Sequence, residues 1–164
     1  MVAEKQTVVQ VSPLSPDFNA GLKAIADVIE LWTPEGQARF AAEAADIEVV
    51  ATSTMKGADE ALMAKMPKLR AICSFGVGTD SIDLAAARRR GVVVSNTPTV
   101  LDDCVADLAM ALTLDTMRRI GASERHLRAG GWEKGAFPLA TKVSGKTLGI
   151  VGLGRIGKVV ARRA

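Results

Sequence analysis

Apolar residues fall in short β-branched runs separated by stretches in which they recur every three or four positions. Residues 7–11 (Thr-Val-Val-Gln-Val) predict a strand, and after Ser12-Pro13 a helical pattern runs through Leu22, Ile25 and Ala26. Residues 28–32 predict a second strand, which stops at Thr33-Pro34. An N-cap followed by proline at the first helical position opens a helix there, running to about Ala45. Residues 47–51 predict a third strand, 59–65 a short helix, 69–73 a fourth strand, 83–90 a helix ended by Gly91, and 92–94 a fifth strand. Strands alternating with helices at this spacing predict a parallel, doubly wound α/β sheet, because parallel neighbours need crossover connections. Ligands of such sheets gather at the carboxyl ends of the strands. Two loops stand at those ends: Thr52-Ser53-Thr54-Met55-Lys56-Gly57, and Ser74-Phe75-Gly76-Val77-Gly78-Thr79-Asp80.

Beyond Asn96-Thr97-Pro98-Thr99, a long helix is predicted over 101–118, with Val105, Leu108, Ala109, Leu112 and Met117 at helical spacing. Such a face is expected to be largely buried. A second helix runs to about Ala129 and ends at Gly130-Gly131, and residues 132–144 read as irregular. Residues 147–151 then predict a strand that leads directly into Gly152-x-Gly154-x-x-Gly157, with a helix opening after it. In that setting Gly152 makes the tight turn, Gly154 lets the backbone approach a pyrophosphate, and Gly157 permits close helix–strand packing. The amides of the helix N-terminus supply donors and positive potential for phosphate. The acidic residue that separates NAD from NADP is expected about 20 residues further on, beyond Ala164.

Composition narrows the class of protein. Of 164 residues, 48% are hydrophobic and 24% charged, which excludes intrinsic disorder. No apolar stretch approaches the ~20 residues of a spanning helix, and the start of the chain, with Glu4 and Lys5, lacks the apolar core of a secretory signal. No membrane partner is therefore expected. Cys73, Cys104 and a single histidine are too few for a structural metal site or a disulfide framework, so a reducing cytoplasm is the expectation. The net charge of +3 is uneven: residues 1–98 hold ten Lys/Arg against twelve Asp/Glu, residues 99–164 eleven against six. The cations of the second half are scattered without interleaved aromatics, so nucleic acid is not an expected partner.

Five motifs together carry a family resemblance. Ser74-Phe75-Gly76-Val77-Gly78-Thr79-Asp80, Arg90-Gly91-Val92-Val93-Val94-Ser95-Asn96-Thr97-Pro98, Val105-Ala106-Asp107-Leu108, Gly130-Gly131-Trp132 and Gly149-Ile150-Val151-Gly152-Leu153-Gly154-Arg155-Ile156-Gly157 stand in this order. The chain resembles the first half of a D-isomer-specific 2-hydroxyacid dehydrogenase, above all the hydroxypyruvate/glyoxylate reductase branch. The resemblance covers nearly all of residues 47–164 and is weaker before them.

It implies a flavodoxin-like substrate domain over 1–98, then the start of a Rossmann dinucleotide-binding domain over 99–164, in a parent roughly twice this length. It implies NAD(P)-dependent hydride transfer to or from a small 2-oxo or 2-hydroxy acid. It also implies a homodimer, paired through the long helix and the 132–144 arm. The main-chain amides of Val77 and Gly78 would bind the substrate carboxylate, the alternative being a plain tight turn. Val105 would lie beside the nicotinamide, and Arg155 and Ile156 would give amides to the pyrophosphate alongside Gly152, Gly154 and Gly157. The family's catalytic Arg, Glu and His all lie after the glycines, so no catalytic residue is expected in this chain. A dinucleotide-sensing corepressor, or a relative acting on formate or 3-phosphoglycerate, is the rival reading.

Other residues read more simply. Met55 is a candidate wall of the substrate pocket or mere loop packing. His126 reads as a residue on a solvated helix rather than a catalytic one, and Cys104 as a buried small hydrophobe rather than a cleft-lining thiol. Asp80 and Asp83 suit a turn and an N-cap, and Arg88, Arg89 and Arg90 complement a helix C-terminus. Asp107 stands where the family more often carries Glu. Ala164 falls within the helix after Gly157, with one Rossmann strand laid down, so the chain reads as part of a longer protein.

Overall fold

A computed structural model describes residues 5–164. Residues 1–4, on which part of the expectation about a secretory signal rests, lie outside them. The chain divides into two compact units, one ending at Pro98 and the other spanning Thr99–Ala164.

The first unit is a five-stranded parallel sheet in the order β2-β1-β3-β4-β5, the flavodoxin-like arrangement. Its strands are β1 (Thr7–Gln10), β2 (Asp27–Glu30), β3 (Val49–Ser53), β4 (Ala71–Phe75) and β5 (Val93–Ser95), joined by α1 (Pro16–Ile25), α2 (Pro34–Glu43), α3 (Glu60–Ala64) and α4 (Leu84–Arg89). Alternation along the strands sends Val9, Ile29, Val50 and Ile72 to one face, where they are fully buried with Phe40 of α2, Met63 of α3 and Ala86 of α4. Each such aliphatic side chain contributes about 1.5–3 kcal/mol through burial. Val8 and Ala51 face the other side, against Leu22 and Ala26.

Side chains start the helices as the sequence predicts. Thr33 Oγ1 accepts from Gly36 N–H at 2.9 Å with Pro34 next in line, and Asp83 accepts from Ala86 N–H at 2.8 Å. Asp59 caps α3 in the same way. Gly91 takes φ +69° just after α4, as a helix-ending glycine should. Of the three arginines before it, Arg89 pairs with Glu60 and Arg90 donates to the carbonyl of Met63, so two of them tie α4 to α3.

Strands β3 and β4 lie two residues later than hydrophobicity suggests. The backbone ladder continues through Thr52↔Ser74 and Ser53↔Phe75, polar positions included, while Ile47 sits in the core at the end of a short 3-10 turn. β2 closes at Glu30 because Thr33 N–H folds back onto the Glu30 carbonyl.

The second unit contains α5 (Asp102–Arg118), α6 (Ile120–Arg128), a 3-10 turn (Gly131–Lys134) and α7 (Arg155–Arg163). α7 packs on α5, with Val159 and Ala106 as their buried residues. Arg163 reaches Asp107 at 2.6 Å and Asp103 at 3.0 Å. Four expectations are corrected in this unit. Residues 147–151 form no strand, because an extended segment becomes one only by pairing, and no neighbour among the described residues pairs with it. α5 is not largely buried: Ala106 is its one buried residue, and Leu108 and Leu112 are more than half exposed. Periodicity marks a face that can be covered without supplying its cover. Cys104, on the same helix, is exposed, and so is Cys73 on β4.

His126 also departs from the solvated reading. It is half-buried, its ring lies 5.4 Å from that of Phe137, and its Nε2 is buried without a partner among the described residues. Gly131 is pressed against the ring, where an added Cβ would come within 2.5 Å. Among the described residues no helix is long and apolar enough to cross a membrane, and no cluster of His, Cys, Asp and Glu is arranged to hold a metal.

Candidate functional site

At the carboxyl edge of the first unit, the loops after β3 and β4 lie side by side. Thr54 N–H donates to the Phe75 carbonyl, and Ser81 Oγ donates to the Thr54 carbonyl at 2.7 Å. Two glycines make this approach possible. Gly57, at φ +63°, leaves no room for a Cβ against the Ser81 carbonyl oxygen, only 1.8 Å from where it would stand. Gly76, at φ +127°, lies under Thr54, whose Cγ2 would be 2.4 Å from an added Cβ.

The second loop thus leaves β4 through Gly76 into Val77 and Gly78. Both residues are half-buried, and among the described residues neither N–H donates to a protein acceptor. Unpaired adjacent amides at a strand end are a ready anion cradle. The structure places Met55 on the neighbouring loop, 86% exposed, so its side chain is available at this edge rather than packed away.

Three residues that received no role from sequence reasoning brace the loop. Asn96 Nδ2 donates to the Val77 carbonyl at 2.7 Å, Thr97 N–H to the Gly76 carbonyl at 2.9 Å, and Gly76 N–H to Thr97 Oγ1 at 3.0 Å. Thr54 braces it from the other side. Asn96-Thr97 was visible as a motif. Its partner became identifiable only once β5 was seen to lie beside β4.

In the second unit, Gly152, Gly154, Arg155, Ile156 and Gly157 come together around the start of α7. Gly152 takes φ +94°, a turn that only glycine enters freely. Open space surrounds Gly154, which caps α7 without a side-chain hydrogen bond, so the amides of Arg155 and Ile156 lack intrahelical partners. A shallow groove of about 520 Å³ beside them is lined by Leu153, Arg155, Lys158 and Arg162, with Thr99 and Asp102. Cations therefore outnumber carboxylates there. Uncapped amides, cationic walls and a glycine-cleared surface fit the pyrophosphate of a dinucleotide. Val105 lies on α5, partly exposed, and is not among the residues lining the groove. Asp107, the departure from the family pattern, accepts a hydrogen bond from Arg163.

Two models of one family match the chain. The model of the D-isomer specific 2-hydroxyacid dehydrogenase catalytic domain matches residues 8–126, and that of the family's NAD binding domain matches residues 110–164. A glyoxylate/hydroxypyruvate reductase A of Arabidopsis thaliana is 40% identical over 158 residues, 96% of this chain and 50% of the relative. A hydroxyphenylpyruvate reductase of Plectranthus scutellarioides is 43% identical over the same shares. Among solved structures, a 2-hydroxyacid dehydrogenase from Ketogulonicigenium vulgare superposes with a TM-score of 0.89 at 40% identity, covering 98% of this chain and 51% of that one. An NADPH-dependent glyoxylate/hydroxypyruvate reductase from Sinorhizobium meliloti, in complex with NADP and malonate, gives 0.83 at 35% identity, with 98% and 50% covered. The chain spans about half the length of the curated relatives it matches. With a parallel α/β unit, a glycine loop opening α7 and both family models matched, the chain belongs to the D-isomer-specific 2-hydroxyacid dehydrogenase family.

Proposed function

We propose that the whole protein is an NAD(P)-dependent oxidoreductase of small 2-oxo and 2-hydroxy acids, with glyoxylate and hydroxypyruvate as substrates. The observation that carries this reading is the pair of unpaired amides at Val77 and Gly78, set at a sheet edge in a chain of this family. Relatives named for glyoxylate, hydroxypyruvate and hydroxyphenylpyruvate share the carboxylate next to a carbonyl, which is the group such a cradle would receive. In this reading residues 1–98 are the substrate domain and 99–164 begin the Rossmann domain. Met55 borders the substrate at the neighbouring loop.

When bound, the nicotinamide supplies or accepts the hydride at C2 of the acid. This chain's residues bind and orient. Val77 and Gly78 hold the carboxylate, the amides of Arg155 and Ile156 with Gly152, Gly154 and Gly157 hold the pyrophosphate, and Val105 borders the nicotinamide. NAD and NADP both fit these residues. We further assign the protein to the cytoplasm as a homodimer. Its free cysteines support a reducing compartment, and Leu108, Leu112, Leu127 and Trp132, all exposed in this unit, are available to a second copy.

The test is reduction of glyoxylate and hydroxypyruvate by the full-length protein with NADH and with NADPH, followed by loss of reduced-nicotinamide absorbance. Turnover with either acid is the expected result. Dinucleotide binding without turnover of any 2-oxo acid would overturn the assignment in favour of a sensor. Light scattering at micromolar concentration checks the dimer.

A further inference from the structure

The loop after β4 carries three consecutive carbonyls that are all engaged. Phe75 O accepts from Thr54 N–H at 3.3 Å, Gly76 O from Thr97 N–H at 2.9 Å, and Val77 O from Asn96 Nδ2 at 2.7 Å. Successive carbonyls of a strand point to opposite edges. Phe75 and Gly76 follow that rule, one facing the loop after β3 and the next facing the segment after β5. Val77 does not turn back: its carbonyl meets the segment after β5 as well, directly following Gly76 and its φ of +127°.

Peptide units are planar, and none in the described chain is cis, so each N–H is antiparallel to the carbonyl of its own unit. Anchoring the Gly76 and Val77 carbonyls to Asn96-Thr97 therefore turns the N–H groups of Val77 and Gly78 together to the opposite side. Neither meets a protein acceptor among the described residues.

We propose that Asn96 is a positioning residue for the substrate carboxylate, its side-chain amide and the Thr97 main chain setting the two peptide planes whose N–H groups receive the anion. The inference rests on the proposed role of Val77 and Gly78. Asparagine suits the task because Nδ2 donates without adding a charge. Aspartate has the same shape but only accepts, and it would set a negative charge against the Val77 carbonyl and beside the incoming anion.

Steady-state kinetics of the full-length protein test this, with thermal melts of each variant. Asn96→Ala and Asn96→Asp raise KM for glyoxylate about tenfold or more, the effect of losing part of a charge-assisted contact, and leave KM for NAD(P)H within about twofold. Gly78→Pro, which deletes one N–H, raises KM for glyoxylate on its own. If Gly78→Pro raises KM and a folded Asn96→Ala does not, the positioning role is overturned while the carboxylate reading stands. If a folded Gly78→Pro changes nothing, the carboxylate reading falls. Equal rises in both KM values overturn the proposal by assigning Asn96 a general structural role. The isosteric Asn96→Asp carries the test where Asn96→Ala does not fold. In ligand-free NMR spectra, Asn96→Ala shifts the Gly78 amide resonance. A raised KM without that shift means Asn96 meets the substrate itself, which also overturns the proposal.

Discussion

A Cβ built on Gly157 would stand 2.1 Å from the carbonyl oxygen of Gly152, so the third glycine of the fingerprint is pressed against the first. The two residues close the turn that presents the amides of Arg155 and Ile156. Gly157→Ala must push that carbonyl away, and the turn it belongs to moves with it. In the full-length protein the substitution weakens NAD(P)H binding about tenfold or more, read by quenching or energy transfer from protein to nicotinamide. Gly154→Ala meets no such contact, because open space surrounds that position. Its effect appears only when the dinucleotide is bound. A Gly157→Ala variant with unchanged affinity would remove the structural argument for the loop.

Gly76 and Gly91 provide a paired test on the first unit. Both have positive φ, but a Cβ added at Gly76 would meet the Thr54 side chain while one added at Gly91 looks into open space. Gly91→Ala costs only the left-handed backbone, about 1–2 kcal/mol. Gly76→Ala adds a steric clash to that and is expected to exceed it by at least ~1 kcal/mol in chemical denaturation. Equal losses would mean that the loop relaxes freely around Thr54.

The parallel α/β plan was legible because Val8, Val9, Ile29, Val50 and Ile72 sit in compact apolar runs between N-capped helices. Strand ends were less legible. Thr52 and Ser74 extend their strands because the backbone ladder continues regardless of side-chain polarity. The 147–151 segment has a strand pattern without a strand, since pairing is a property of neighbours. The same distinction divides the candidate site. Gly152, Gly154 and Gly157 form a local turn and can be read from spacing alone. The bond from Asn96 to Val77 depends on β5 lying beside β4, a non-local fact that no motif states.

Asp27 on β2 is bonded to Arg39 on α2 at 2.7 and 3.3 Å, and Arg39 also holds Glu43. Hydrogen bonding from Arg39 holds the Asp27 carboxyl below its ordinary 3.8, against a smaller opposing effect of desolvation. A carboxylate with a depressed folded-state pKa stabilises the fold above its unfolded pKa. That contribution disappears as pH falls through the folded value. Asp27→Asn is therefore expected to lower stability near neutral pH by under about 1 kcal/mol, because the pair is largely solvated and screened. The gap from wild type closes on acidification below 3.8 and narrows in high salt. Thermal melts across that pH range check it, and a gap that widens in acid would contradict the assignment.

Reduction of a 2-oxo acid leaves an alkoxide that must receive a proton, so turnover requires a positioned acid. His126 is the only histidine of the chain, and its environment does not suit that task. Its Nε2 is buried without a partner among the described residues, its ring lies against Phe137, and Arg119 stands over the same Phe137 ring at 4.9 Å. These contacts assign His126 to the packing of the segment after α6 rather than to proton delivery. Two outcomes follow. Residues 1–164 alone show no NAD(P)H oxidation with glyoxylate above the rate without protein. In the full-length protein, His126→Gln lowers thermal stability while kcat and its pH profile stay as in wild type. Oxidation by the 164-residue chain, or a lost pH-dependent limb in His126→Gln, would place the acid within residues 1–164.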